Sequence, residues 1–310
     1  MNLSIIIALL NEEESIPELV EWIDRIVQDA GLQYEIIFID DGSTDSSWTV
    51  IQELQKTYPT ISAIKFRRNY GKSAALNVGF QKANGDVVIT MDADLQDSPD
   101  EIPELYRMIK EDGYDIVSGW KQKRHDPIGK TIPSKFFNFV TRKSSGISLH
   151  DFNCGLKSYK KEVVKNIEIY GDMHRYIPVM AKMNGFSNIT EKVVEHRARK
   201  YGVSKFGIGR MMYGFLDLGT VLFLGKFGKR PMHFFGTFGV LFMFVGFVIL
   251  LYLTLVKMIY QTGGIATRPL FFFGILTLII GTQLFVTGFV AELVSRNAAD
   301  RNDYKVKEEI

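Results

Sequence analysis

Two aspartates with one residue between them, Asp92 and Asp94, directly follow an apolar segment at residues 87–91. Their carboxylates could converge on one hard cation, with Gln96 supplying a further oxygen. Mg²⁺ and Mn²⁺ suit such a site, because these ions favour oxygen ligands and are commonly shared with substrate phosphates. The spacing therefore predicts a metal site, where a bound ion would neutralise a diphosphate as it leaves.

The Asp-x-Asp pattern has a structural alternative, since a solvated turn or a helix cap is its commoner meaning. Two further polar segments favour the ligand site. Residues 11–14 are Asn-Glu-Glu-Glu and residues 40–45 are Asp-Asp-Gly-Ser-Thr-Asp, and each segment follows an apolar run. In an open parallel sheet, ligands bind beyond the carboxyl ends of the strands. We therefore expect the three acidic segments to form one site.

The elements that would position these residues alternate between apolar β-branched runs and runs of helical period, which predicts an α/β fold with a mainly parallel sheet covered by helices. Predicted strands cover residues 3–9, 34–39, 61–66, 87–91 and 115–118. The first predicted helix has an apolar face, and later helices begin near Asp45, Lys72 and Asp100. Neither a Gly-x-Gly-x-x-Gly fingerprint nor a Gly-x-x-x-x-Gly-Lys loop follows a strand, which argues against a dinucleotide oxidoreductase or a P-loop nucleotidase.

Several of the polar residues also have structural explanations. Asn11 is predicted to cap the first helix with Glu14 at the capping-box position, whereas Glu12 has no such explanation. Asp40 and Asp41 stand where a carboxylate could accept hydrogen bonds from a base or from ribose hydroxyls. For Lys72 two interpretations stay open. Its ammonium could reach a base or a phosphate, or it could be a surface lysine in the first turn of a helix.

Composition limits the partners and the compartment. The formal net charge of +2 favours neither a nucleic-acid binder nor an acidic tail. Cys154 is the only cysteine, so no intrachain disulfide is possible and a reducing compartment is expected. The N-terminus lacks a basic region and a small-residue cleavage site, so we predict a first strand rather than a signal peptide and a cytoplasmic front domain.

Two long apolar segments, residues 232–256 and 269–291, have no formally charged side chain apart from titratable His233. Each exceeds the ~20 residues that a helix needs to cross a bilayer, although two buried helices of a soluble bundle are the alternative. More cationic residues flank the two segments than lie in the connection between them, which predicts that both ends are cytoplasmic. The flanking residues are Lys226, Lys229, Arg230, Arg296, Arg301, Lys305 and Lys307, and the connection has Lys257 and Arg268.

These segments predict four regions: a catalytic domain at 1–208, interfacial helices at 209–230, two transmembrane helices within 231–293, and a cytoplasmic tail at 294–310. Residues 211–228 are expected to form one or two helices at the membrane surface. The apolar cluster Phe136, Phe137, Phe139 and Val140, with lysine and arginine on both sides, suits an anionic lipid surface. An ordinary core helix is the alternative for that cluster.

The ordered motifs resemble the family 2 glycosyltransferases that load a sugar onto polyprenyl phosphate, such as dolichyl-phosphate mannose synthases and bacterial undecaprenyl-phosphate glucosyltransferases. The motifs are Asn11-Glu12, Asp40 to Ser43, Gly71-Lys72, Asp92 to Asp97 and residues 199–205. The resemblance implies a GT-A fold and a nucleotide-sugar donor, with UDP-glucose favoured. It further implies a polyprenyl phosphate acceptor at the cytoplasmic face of a bacterial inner membrane, and a homo-oligomer for which a tetramer is expected.

The same resemblance assigns roles to individual residues. It implies Mg²⁺ or Mn²⁺ on Asp92, Asp94 and Gln96, with Ala93 beside the donor. The implied donor-binding residues are Asn11, Glu12, Asp40, Asp41, Lys72, Arg199 and Lys205. Lys121 and Arg124 lie in a basic stretch that resembles a phosphate-holding segment, although many relatives have arginine at position 121. Residues 8–10 are Ala-Leu-Leu where relatives carry Pro-x-Tyr, so this chain has no tyrosine at the position that would stack on the base.

Asp151 occupies the acidic position that these enzymes have near the acceptor. A phosphate acceptor has a second pKa near ~6 and is largely ionised at neutral pH, so it needs little deprotonation. We therefore expect Asp151 to position groups or shape the electrostatic field, with a structural role as the alternative. The expected reaction is a single inverting displacement, which needs no covalent intermediate.

Two rival functions are weighed against this expectation. A processive polysaccharide synthase shares the acidic front but normally carries Gln-x-x-Arg-Trp, and none of Trp22, Trp48 and Trp120 lies in that pattern. A non-catalytic membrane scaffold would leave three aligned acidic strand ends without a purpose.

Overall fold

The computed structural model describes residues 1–122, 128–201, 209–260 and 264–298, with side chains outside the description at 128–136, 209–213 and 215. In this part of the chain, seven strands form one sheet in the order β3-β2-β1-β4-β6-β5-β7. The strands are β1 Leu3–Leu9, β2 Tyr34–Asp40, β3 Ile61–Lys65, β4 Val87–Asp92, β5 Ile116–Trp120, β6 Lys157–Lys160 and β7 Ile189–Val193.

Parallel pairing brings the acidic strand ends to one edge of the sheet. Leu9 on β1 pairs with Asp40 on β2, and Ala8 pairs with Asp92 on β4. Strand β6 is antiparallel to both β4 and β5. The predicted mainly parallel sheet is confirmed, and the five predicted strands lie within two residues of the observed bounds. Strands β6 and β7 were not predicted.

Helices cover both faces of the sheet, as predicted. They are α1 Ile16–Asp29, α2 Ser47–Thr57, α3 Lys72–Lys82, α4 Ile102–Lys110, α5 Ile128–Ser145, α6 Lys161–Lys165, α7 Ile177–Met183 and α8 Gly209–Phe227. Successive strand side chains point to opposite faces. Ile5 on β1 therefore packs in one core with Leu19 of α1, whereas Ile6 packs in the other with Phe80 of α3. Each such burial contributes about 1.5–3 kcal/mol.

The predicted helix cap at Asn11 is wrong. Helix α1 begins at Ile16, and Ser15 is the capping residue, without a side-chain capping bond. Asn11 instead has a φ of 53°, a left-handed conformation that asparagine tolerates in turns. Its Oδ1 accepts a hydrogen bond from the Thr44 N–H at 2.9 Å. Asn11 therefore ties the turn after β1 to the turn after β2.

The chain forms two compact units, residues 1–222 and 223–310. Helix α8 is one helix where one or two were expected, and its Leu218 and Val221 are buried in the core of the first unit. In the apolar cluster of α5, Phe137 is buried in that same core and Phe139 is 58% exposed. Core packing thus explains Phe137, while Phe139 faces outward.

The second unit is a pair of helices, α9 Met232–Tyr260 and α10 Pro269–Asn297, each 29 residues long. By length and composition alone, both could cross a membrane. Glycines stand where the helices touch, because a Cβ at Gly281 would lie 2.6 Å from the Met243 nitrogen and one at Gly239 would lie 2.8 Å from the Phe285 nitrogen. Small residues of this kind let two helix backbones approach closely.

Candidate active site

The centre of the acidic edge is Asp92, the last residue of β4, which forms an ion pair with Lys72. Lys72 is the first residue of α3, where Gly71 supplies a φ of 94°. Burial alone would lower the pKa of Lys72, but the carboxylates of Asp92, Asp97 and Asp94 outweigh burial and raise it. Burial would raise the pKa of Asp92, but Lys72 and Lys121 lower it. Both partners are therefore charged.

Asp94 is joined to Arg199 from the far end of the domain. The Arg199 Nη2 lies 2.5 Å from Asp94 Oδ2, and its Nη1 lies 3.5 Å from Glu12 Oε1. One guanidinium thus bridges the segment after β1 and the turn after β4. Burial and the Asp92 charge raise the pKa of Asp94, while Arg199 opposes them. The predicted residues Glu12, Asp92, Asp94, Lys72 and Arg199 are brought together.

Contacts with Arg197 and Lys121 hold the turn after Asp94 in place. Leu95 has a φ of 59°, and the Gln96 side-chain amide donates to the Arg197 carbonyl at 3.3 Å. The Lys121 Nζ lies 2.7 Å from Oδ1 of Asp97, a residue without solvent exposure. Burial would lower the pKa of Lys121, but Asp97 raises it. Lys121 therefore holds this turn in place, and its predicted contact with a phosphate stays a prediction.

Asp40 and Asp41 hold neighbouring loops. Asp41 Oδ1 and Oδ2 accept hydrogen bonds from the backbone N–H groups of Tyr70 at 2.7 Å and Gly71 at 2.9 Å, which sets the start of α3. Burial raises the pKa of Asp41. Asp40 Oδ1 accepts from the Ser43 N–H at 2.7 Å. These bonds give both carboxylates a structural role, and their contact with a nucleoside stays a prediction.

Asp151 lies in the loop before β6 and is 1% exposed. Its Oδ1 accepts a hydrogen bond from the Asn153 N–H at 3.0 Å, and its carbonyl accepts one from the Ser118 hydroxyl at 3.3 Å. This position suits the expected role in shaping the local field. Two other predicted site residues, Arg124 and Lys205, lie outside the described residues.

The side chains at this site that could bind a metal fit a hard divalent ion in part. Among the residues that the structure describes, no three His, Cys, Asp or Glu side chains converge as a metal cluster. Asp92 and Asp94 nevertheless offer carboxylate oxygens on one turn, each balanced by a cation. Mg²⁺ commonly binds through one or two carboxylates, with substrate phosphates completing its shell. The two aspartates therefore fit an ion that arrives with a diphosphate.

A basic cavity beside Asp92 was not predicted. It is lined by Lys72, Lys157, His174 and Arg175, together with neutral polar and apolar groups. His174 Nδ1 lies 3.0 Å from the Ser73 hydroxyl. Burial, then the charges of Lys72, Arg175 and Lys157, lower the pKa of His174 well below its usual range, so the imidazole is neutral. Lys157 lies on β6, whose sequence Lys-Ser-Tyr-Lys is polar, so no local sequence signal indicated this residue.

Comparison with known proteins decides the family. The sequence model of glycosyl transferase family 2 matches residues 4–168, which include the acidic segments after β1, β2 and β4. This chain belongs to glycosyl transferase family 2. The fold and the family predicted from the motifs are thereby confirmed.

Curated relatives of this family 2 glycosyltransferase match along nearly its whole length. A dodecaprenyl-phosphate galacturonate synthase of Rhizobium johnstonii is 35% identical over 96% of this chain and 88% of its own. An undecaprenyl-phosphate 4-deoxy-4-formamido-L-arabinose transferase of Pseudomonas aeruginosa is 31% identical over 96% of this chain and 86% of its own.

A solved structure shares the fold of the glycosyltransferase. Glucosyl-3-phosphoglycerate synthase of Mycobacterium tuberculosis, in complex with Mn²⁺ and UDP-glucose, superposes with a TM-score of 0.53. Its sequence is 18% identical, and the match covers 72% of this chain and 78% of that one. At this identity the likeness concerns the fold alone.

Proposed function

We propose that this glycosyltransferase moves a sugar from a nucleotide sugar to polyprenyl phosphate at the cytoplasmic face of a membrane. The observation that carries the proposal is the gathering of Glu12, Asp92 and Asp94 with Lys72 and Arg199 at one sheet edge. Both curated relatives described above act on polyprenyl phosphates, as their names state, and both align over 96% of the chain. Alignment over that length supports the same class of acceptor here.

The donor is proposed to be a UDP-sugar. Glucose is the sugar that the motifs favoured, whereas the two relatives are named for galacturonate and a formamido-arabinose. The nucleoside is assigned to the side of the site that Glu12, Asp40 and Asp41 form. A divalent ion on Asp92 and Asp94, Mg²⁺ or Mn²⁺, would supply positive charge for the leaving diphosphate. Mn²⁺ accompanies UDP-glucose in the structurally similar enzyme.

The proposed reaction is one inverting displacement. An oxygen of the acceptor phosphate attacks the anomeric carbon, and the bond from that carbon to the nucleoside diphosphate breaks. The electron pair leaves with the diphosphate. Lys72 and Arg199 stand where they offset this charge, and preorganised charges of this kind supply much of the catalysis in such transfers. Asp151 need not act as a base, because the acceptor is already ionised.

Helices α9 and α10 are proposed to anchor the enzyme in a bacterial inner membrane. Both ends of the chain would then be cytoplasmic, since more cationic side chains flank the helix pair than connect it. An anchor places the enzyme where a polyprenyl lipid is dissolved. A tetrameric assembly stays a prediction.

The test uses the full-length protein in detergent with undecaprenyl phosphate, Mn²⁺ and radiolabelled UDP-sugars, and label is counted in the organic extract. We expect labelled lipid with one donor of the panel and its loss in Asp94→Asn. Asp29→Asn is the matched control, because Asp29 is an exposed aspartate at the end of α1. No labelled lipid with any donor would favour a scaffold, and water-insoluble polymer would favour a polysaccharide synthase.

A further inference from the structure

The basic cavity next to Asp92 has an unusual lining. It is a small cleft that opens to solvent. Lys72, Lys157, His174 and Arg175 line it, and none of the described residues in its wall is acidic. Lys157 is 3% exposed and Arg175 is 9% exposed. A wall with several cationic groups and no carboxylate is built for an anion.

Lys157 is the residue in the wall whose charge an anion would balance most directly. Its ammonium donates a hydrogen bond to the Cys154 carbonyl, and among the described residues no carboxylate lies within 4.0 Å of it. Asp151 and Asp92 act on Lys157 only electrostatically, from beyond that distance, whereas Lys72 forms a direct ion pair with Asp92. Burying a charge without an opposite charge in direct contact is costly. An anion bound in the cavity would remove that cost.

The cavity adjoins the proposed diphosphate site. Lys72 both lines the cavity and pairs with Asp92. Gly155, also in the wall, lies so close that a Cβ at this position would collide with the Asp92 carboxylate. A sugar attached to a diphosphate at Asp92 and Asp94 is therefore within reach of the cavity.

We propose that this cavity receives the carboxylate of a uronic acid, so that the donor is a nucleotide-linked uronate rather than a neutral hexose. The inference rests on the proposed function only in taking the donor to be a nucleotide sugar. Lys157 and Arg175 bind the carboxylate oxygens, and His174 donates one N–H. The rest of the wall includes the apolar side chains of Leu76, Phe152 and Ile177 and the polar side chains of Thr90, Asn153 and Tyr159.

The phosphate of the lipid acceptor has similar charge chemistry, but a carboxylate suits this wall better. A lipid phosphate brings a polyprenyl chain that must stay in the bilayer, whereas a sugar carboxylate is a small terminal group. The cavity is walled by buried groups on α3, β6 and the turn at Met173–Tyr176. Lys157 is therefore assigned as a residue that determines the specificity for the donor.

Equilibrium binding tests the proposal without requiring turnover. Calorimetry on the full-length protein with Mn²⁺ would compare UDP-galacturonate with UDP-galactose, and UDP-glucuronate with UDP-glucose, since the sugars of each pair differ only at C6. We expect one uronate to bind at least about 10-fold more tightly than its neutral partner, because hydrogen bonds between charged groups are strong. Lys157→Met should remove most of this preference, and Lys157→Arg should retain part of it.

Lys165→Met is the matched control. Lys165 also donates to backbone carbonyls, those of Phe80 and Gln81, at 2.7 Å and 2.6 Å, but it does not line the cavity. This variant should keep the uronate preference. UDP itself should bind Lys157→Met as it binds the wild type, which shows that the variant is folded. If Lys157→Met does not fold, the comparison of uronate with neutral-sugar binding in the wild-type protein still tests the proposal.

Three results would overturn the proposal: neutral sugars that bind as tightly as uronates, absence of uronate binding, or an unchanged preference in Lys157→Met. If Lys157→Met has a raised KM for polyprenyl phosphate but keeps its preference for the uronate donor, the cavity binds the acceptor and the proposal is wrong. The two proposals fail separately. If a uronate donor binds but no lipid product forms, only the proposed transfer reaction is contradicted. If neutral sugars are transferred and uronates are not preferred, only the proposed uronate site is contradicted.

Discussion

Arg199 and Asp94 are 105 positions apart in the sequence, yet the Arg199 Nη2 lies 2.5 Å from Asp94 Oδ2. The same guanidinium reaches Glu12 at 3.5 Å. The end of the catalytic domain thus returns across two strand ends and places a cation beside the proposed metal site. A diphosphate bound on Asp92 and Asp94 would meet Arg199 directly.

Arg199→Met is expected to lower kcat/KM for sugar transfer by about 100-fold, because it removes a charge that stabilises the leaving diphosphate. Arg199→Lys should recover part of the loss, since a lysine keeps the charge but not the two-pronged geometry. Steady-state kinetics with the active donor measure both. Arg107→Met serves as the control, because Arg107 pairs with Glu104 and Asp112 on the exposed side of α4. Equal losses in Arg199→Met and Arg107→Met would contradict the assigned role.

Metal removal should abolish transfer. Chelation with EDTA followed by titration with Mn²⁺ or Mg²⁺ is expected to remove and restore activity, and Asp92→Asn should not be restored. Asp86→Asn is the matched change, since Asp86 forms an exposed pair with Lys110. Full activity in excess EDTA would show that the two cations at the site, Lys72 and Arg199, suffice without a metal ion.

The pH dependence of metal binding follows from Asp94. Burial and the Asp92 charge raise the pKa of Asp94 above the usual ~3.9 of an aspartate. A proton and a metal ion compete for this carboxylate, so affinity is full above the raised pKa and falls as the pH drops through it. Mn²⁺ affinity, measured by calorimetry without donor, should therefore weaken from about pH 7 to about pH 5. An affinity that is constant over this range would rule out Asp94 as the group that titrates.

Gly42→Ala is expected to destabilise the first unit by about 1–3 kcal/mol. Gly42 has a φ of 81°, and a Cβ there would lie 2.6 Å from the Arg68 carbonyl carbon. Gly31 has a similar φ of 66° but no atom within 4 Å of its added Cβ. Gly31→Ala should therefore lower the melting temperature less than Gly42→Ala does. The reverse order would show that the close approach of Arg68 does not constrain Gly42.

Gly281→Leu should separate α9 from α10, because a Cβ at Gly281 already lies 2.7 Å from the Gly239 carbonyl oxygen. We expect a lower melting temperature in detergent and a loss of activity that follows the loss of folded protein. Val286→Leu on the same helix is the control, since Val286 is 53% exposed. Unchanged stability in Gly281→Leu would contradict the packing of this helix pair.

The parallel strands were predictable from the sequence, because strands buried on both faces leave continuous β-branched runs. Strand β1 is such a run, with Ile5, Ile6 and Ile7 all fully buried. Strand β6 is Lys-Ser-Tyr-Lys, a polar segment that is buried only because β4 and β5 flank it. No local pattern reveals a strand whose burial comes from its neighbours.

The acidic half of the site was predictable and the cationic half was less so. Asp92 and Asp94 follow a predicted strand, and the acidic segments after two other predicted strands indicate a common ligand. Lys157 belongs to the missed strand, and its position beside Asp92 depends on the pairing of β4 with β6. The Asn11 cap failed for a similar reason, since its real partner is Thr44 on the adjacent strand end.

Mass spectrometry of the lipid product tests the central claim most directly. The full-length enzyme is incubated with undecaprenyl phosphate, Mn²⁺ and the donor that it binds best, and the organic extract is analysed. We predict the mass of the acceptor plus one sugar residue, with one phosphorus atom, and its absence in Asp94→Asn. A lipid with two phosphorus atoms would show transfer of a sugar phosphate, and that result would contradict attack on the anomeric carbon.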